Sequence, residues 1–75
     1  MKKETIMIKG MKDQKDLDRV LASLRDVWGV RQVDINLSKG EAVVSFNKNA
    51  ASLHDFEQAV IDSGFQVRDE HEKNL

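Results

Sequence analysis

Apolar positions along this chain follow two rhythms, one of period two and one of helical period, and glycines mark several of the changes between them. Thr5-Ile6-Met7-Ile8-Lys9 is a short β-rich run ended by Gly10. Leu17, Val20, Leu21, Leu24 and Val27 then recur at the spacing of one helical face, and Gly29 is placed to stop that helix from its C′ position. From Val30 to Leu37 the pattern alternates again, Val33, Ile35 and Leu37 against Gln32, Asp34 and Asn36, which predicts a strand with one covered and one wet face. Ser38-Lys39-Gly40 forms a hairpin turn into a third strand, Glu41 to Phe46.

After a loop from Asn47 to Ala51, Ser52-Leu53-His54-Asp55 has the form of a capping box opening a second helix, with Leu53, Phe56, Ala59 and Val60 facing inward. Gly64 ends it, and Phe65 begins a last strand much as Val30 follows Gly29. Two βαβ halves joined by a tight hairpin give an α+β fold, a ferredoxin-like βαββαβ sandwich in which a four-stranded antiparallel sheet carries both helices on one face. The 75 residues make a single domain, with its core over about 4–68 and a polar tail over 69–75.

Composition narrows the function classes. Without cysteine there is neither a disulfide nor a thiolate metal site, so stability must come from a small regular core. With no signal peptide and no apolar run long enough to span a bilayer, the expectation is a cytoplasmic protein with no membrane insertion. A net charge of −1 gives no electrostatic argument for nucleic acid. The charge is uneven, however: eight Lys/Arg stand against five Asp/Glu through Arg31, and four against eight thereafter. That is ordinary solvated charge, or else a charge-guided docking surface.

The same topology serves RNA binders, acyl-phosphate hydrolases and metal carriers, so the site must decide. An RNA-recognition sheet needs stacking aromatics on its central strands, and here only Phe46 is available, at a position expected to be buried. Beside Lys12 and Lys15, Asp13 and Asp16 would repel a phosphate. No Ser-His-Asp or Cys-His constellation is visible, and the chain is not expected to be an enzyme.

Gly10-Met11 before the loop, Leu17-x-x-Val20 and Leu24, Gly29-Val30-x-x-Val33, Asn36-Leu37, Val44-x-Phe46 and Ala59-Val60-x-x-Ser63-Gly64-Phe65 together resemble the heavy-metal-associated (HMA) domain. This is the module of copper chaperones, mercury-binding proteins and the N-terminal regions of metal-transporting P-type ATPases. The resemblance runs from Glu4 to Arg68. It implies metal ligands at the positions of Asp13 and Asp16, where the family carries Gly-Met-x-Cys-x-x-Cys and holds a soft ion such as Cu(I) between two thiolates. It also implies loop support from Gly10, Met11 and Phe65. Phe65 matches a position near the metal, and Met11 one usually tucked beneath the loop.

Aspartate offers hard oxygen, which disfavours Cu(I). Three readings of Asp13 and Asp16 remain. They can be a helix start, with Asp13 as N-cap accepting from the N–H of Lys15 or Asp16, and with Asp16 and Asp18 opposing the helix dipole in the first turn. They can form a weak oxygen site for a divalent ion such as Mg²⁺, Ca²⁺ or Mn²⁺, although two side chains make a poor cage. Or they can mimic the charge of two thiolates on a docking surface. His54 and His71 belong to other elements and give no zinc spacing. Met7 and Met11 are expected in the core, and Trp28 is expected to cover the end of the first helix or else to anchor a partner.

The expectation from sequence is therefore a degenerate HMA domain with no resident cofactor, a non-enzymatic interaction or regulatory module in metal-ion homeostasis. Its partner would be a metal-transporting P-type ATPase or another HMA-like domain, and the chain itself a monomer or weak dimer. The alternative is a genuine metal-binding or chaperone domain using Asp13 and Asp16 as oxygen ligands for a harder ion.

Overall fold

The computed structural model describes residues 2–68. Its elements run β1 (Lys2–Lys9), α1 (Gln14–Arg25), β2 (Val30–Asn36), β3 (Glu41–Phe46), α2 (Leu53–Asp62) and β4 (Gln66–Arg68). The strands form one sheet in the order β2-β3-β1-β4, with every neighbouring pair antiparallel. This is the βαββαβ ferredoxin-like arrangement expected from the sequence. The polar tail expected over 69–75 lies outside the described residues.

Period-two alternation sends Ile6 and Ile8 of β1, together with Ala42, Val44 and Phe46 of β3, into the core. Against them the helices bury Val20 and Leu24 from α1 and Phe56 and Val60 from α2. Phe46 meets Phe56 edge to face with ring centroids 4.7 Å apart, tying the sheet to the second helix. Val33 and Ile35 of β2 are half-buried against the same cluster.

Several boundaries differ from the sequence reading, each for a physical reason. β1 begins at Lys2 rather than Thr5 because β3 continues to Phe46 and offers Lys2, Lys3 and Glu4 partners; the backbone pairs even though the side chains are charged. β2 ends at Asn36, and Leu37 belongs to the turn, where its carbonyl accepts the Gly40 N–H at 3.2 Å. Strict alternation would put Val30 on the opposite face from Val33. A register shift between Val30 and Gln32 makes Arg31 an extra residue, and the bulge lets both valines pack on the core.

The helices end differently. α2 closes in a Schellman motif: the Phe65 N–H donates to the Val60 carbonyl at 3.2 Å and the Gly64 N–H to that of Ile61 at 3.0 Å, with Gly64 at φ +100°. α1 stops at Arg25 with Asp26 as its C-cap, so Gly29 is not its C′ residue. Gly29 instead shapes the turn into β2, where its carbonyl accepts the Asn47 N–H at 3.0 Å. Leu17 and Leu21 are half-buried and stand outside the main core cluster, because the inward stripe of α1 is confined to Val20, Leu24 and, just past the helix end, Val27.

Candidate functional site

The segment from Gly10 to Asp16 joins the end of β1 to the start of α1. A helix start leaves backbone N–H groups without intrahelical partners, and this chain satisfies them with its own carboxylates. Asp13, extended at φ −147°, is the N-cap, and its Oδ1 accepts the Asp16 N–H at 3.1 Å. Asp16 lies in the first turn, and its Oδ2 accepts the Lys12 N–H at 2.9 Å. Within the helix-start reading Asp16 has a dipole role alone, and this second bond was not foreseen. Asp18 lies beyond the first turn, where its carboxylate accepts the Gln14 side-chain N–H at 3.0 Å instead of facing free N–H groups.

The opening of α2 repeats part of the arrangement. Asp55 Oδ2 accepts the Ser52 N–H at 2.9 Å and the Ser52 hydroxyl at 3.4 Å. In both helices the aspartate three residues after the N-cap reaches back to the chain before it. In α1 the bond falls one residue earlier than in a capping box, on Lys12 rather than Asp13.

Support for the loop comes from beneath and from the far end of the chain. Met11 is half-buried and packs against the core cluster, where the family resemblance places it; it also borders a shallow hollow with Lys12, Ile35 and Leu37. Met7 is half-buried and does not join that cluster, since it alternates with Ile6 and Ile8 and therefore lies on the opposite sheet face. Phe65 packs on the core too, and a β-carbon on Gly10 would come 3.3 Å from Phe65 Cδ1. The structure thus brings Gly10, Met11, Asp13, Asp16 and Phe65 to one end of the molecule.

His54 is not among them. It sits in the first turn of α2 and lines the groove between the helices; His71 lies outside the described residues. Among the described residues, no three His, Asp or Glu side chains are grouped to hold a metal ion. No described helix is long and apolar enough to cross a membrane.

Trp28 departs most from expectation. It is 82% exposed, because Val27 takes the inward place after α1 and the turn to Gly29 sends the next side chain outward. Nothing in the apolar periodicity distinguishes Trp28 from a buried residue at the helix end.

No family model matches the chain. Over 67 residues, however, it is 33% identical to the copper chaperone CopZ of Bacillus subtilis (strain 168), a match covering 89% of this chain and 97% of that protein. The chain belongs to the copper-chaperone-like HMA family. Solved HMA structures superpose closely. A copper-binding domain from HMA7, a P-type ATPase, gives a TM-score of 0.88 at 28% identity over 91% of this chain and 92% of that one. Oxidized MerP from Ralstonia metallidurans CH34 gives 0.85 at 25% identity, covering 89% and 94%. Membership links this HMA domain to metal homeostasis, while its loop presents only carboxylates and backbone where the resemblance places ligands.

Proposed function

We propose that this HMA domain is a non-enzymatic interaction or regulatory module of cytoplasmic metal homeostasis whose own soft-metal site has been given up. The observation that carries this reading is the use of Asp13 and Asp16, each holding a backbone N–H of the helix start. A soft monovalent ion calls for polarizable donors, and the loop offers hard oxygen already engaged in hydrogen bonds. Met11, the only sulfur in the segment, packs against the core. Cu(I) does not fit this donor set, and two carboxylates are too few to enclose a harder cation.

What remains is the surface. The B. subtilis relative is named as a copper chaperone and the HMA7 structure is a domain of a P-type ATPase, which supports a partner of the same kind: another HMA domain or the ATPase that carries one. Lys12 and Lys15 beside Asp13 and Asp16 give that contact a mixed-charge face.

The test is an amide-resolved titration of the whole chain with Cu(I) under a competing chelator, then with an isolated ATPase HMA domain. The expected result is no Cu(I)-dependent shift from Met11 to Asp16, but shifts at that end of the molecule with the partner domain. Tight Cu(I) binding at the loop would overturn the loss of the site. Selective broadening of Asp13 and Asp16 by micromolar Mn²⁺ would establish an oxygen site instead.

A further inference from the structure

Trp28 borders a groove along the seam between α1 and α2, on the helix side of the molecule. Ser23, Asp26 and Val27 form one wall, and His54, Asp55, Gln58, Ala59 and Asp62 form the other. Trp28 and Ala50 close one end and also line a second hollow toward Arg31 and Asn47, so the indole stands as a ridge between two recesses. Three carboxylates line the seam groove and neither Lys nor Arg does. Among the described residues the one ion pair is Lys2–Glu4, so none of the three is neutralised there.

An exposed indole and carboxylates that lack an ion-pair partner select one kind of occupant, with Asp55 hydrogen-bonded only to Ser52 and Asp62 only to the Gln58 amide. Trp28 offers a π face that attracts ammonium and guanidinium groups, and Asp26, Asp55 and Asp62 supply the opposite charge along the same channel. The apolar surface of Val27 and Ala59 between them suits the methylene stems of long basic side chains. A metal ion is a poor alternative, since no three potential ligands here are grouped to hold one. Residues 69–75 are a poor occupant as well, bringing Asp69, Glu70 and Glu72 against only Lys73.

We infer that this seam is a docking site for a Lys/Arg-rich segment of a partner protein, with Trp28 as its anchor. The site uses none of the residues at the loop, so it stands or falls separately from the contact proposed there.

Trp28 is the only tryptophan and there is no tyrosine, so its emission reports directly on the groove. The probe is a short synthetic Lys/Arg/Leu peptide, titrated into the full chain beside a Glu/Leu peptide of equal length. The basic peptide should change Trp28 emission and shift the amides of Ser23, Asp26, Ala50 and Gln58, and the acidic peptide should do neither. By amide titration, Trp28→Ala should weaken binding at least about tenfold, as expected of a central aromatic anchor. The double variant Asp26→Asn, Asp62→Asn should flatten the salt dependence; both changes remove negative charge from a helix C-terminus, where it opposes the dipole, so the fold is retained. Equal effects of both peptides, or shifts confined to residues 10–16 or the open sheet face, would overturn the proposal. So would emission that changes with protein concentration alone, which would make a second copy the occupant.

Discussion

Asp13 Oδ1 accepts the Asp16 N–H at 3.1 Å, while Asp16 Oδ2 accepts the Lys12 N–H at 2.9 Å, so the two carboxylates brace the same helix start. The first bond gives a direct prediction. Asn is as good an N-cap as Asp, so Asp13→Asn should nearly preserve stability, while Asp13→Ala should cost about 1 kcal/mol. Urea unfolding with an unchanged slope would measure the difference. Equal losses in the two variants would show that the cap is not what Asp13 contributes.

Restoring sulfur should reverse the site's character. In the double variant Asp13→Cys, Asp16→Cys, the metal-free protein should be less stable than the parent by about 1 kcal/mol, having lost its cap. Cu(I) should then raise its melting temperature through binding to the native state alone. The parent should show no such rise. Failure of the variant to respond would mean that the loop's shape, and not only its ligands, differs from a carrier's.

Gly29 occupies a place where no β-carbon fits. At φ +93°, an added methyl would sit 2.7 Å from the Ala50 β-carbon. Overpacking and a left-handed backbone together predict a loss of about 2–4 kcal/mol for Gly29→Ala. Adding Ala50→Gly should restore the steric part but not the backbone part, and thermal unfolding of the single and double variants separates them.

Phe56 and Trp28 should behave as opposites despite both being aromatic. Phe56 is fully buried against Phe46, and Phe56→Ala should cost about 3–5 kcal/mol. A domain of 75 residues has a total stability of only about 4–11 kcal/mol, so this one change would remove a quarter of it or more, up to the whole. Trp28→Ser should change stability by no more than about 0.5 kcal/mol, since the side chain is largely in water. Circular dichroism melts of the two variants would distinguish them at once.

These contrasts also show how far the sequence could be read. The inward faces at Ile6, Ile8, Val20, Leu24, Phe56 and Val60 follow from periodicity alone, because burial and repeat are the same fact. Asp13 was legible as a cap because the acceptor and its N–H lie three residues apart. What depends on a distant partner was not legible. Lys2 to Glu4 join β1 only because β3 extends that far, the bulge at Arg31 exists only in register with Phe46 and Ser45, and the outward turn of Trp28 depends on Val27 filling the inward place. The reach of Asp16 to Lys12 escaped notice for a different reason: it departs by one residue from the usual capping pattern.

The contact of Phe65 with Gly10 joins positions near opposite ends of the sequence. Its partner ring is held by the closing turn of α2, so the loop cannot reach its final packing until nearly the whole chain is present and folded. A shortened chain ending before Phe65 would therefore retain most of the sheet's strands yet lose its lid over Gly10. A truncation just before Phe65 would thus be felt at the loop, although the two lie more than fifty residues apart in the chain.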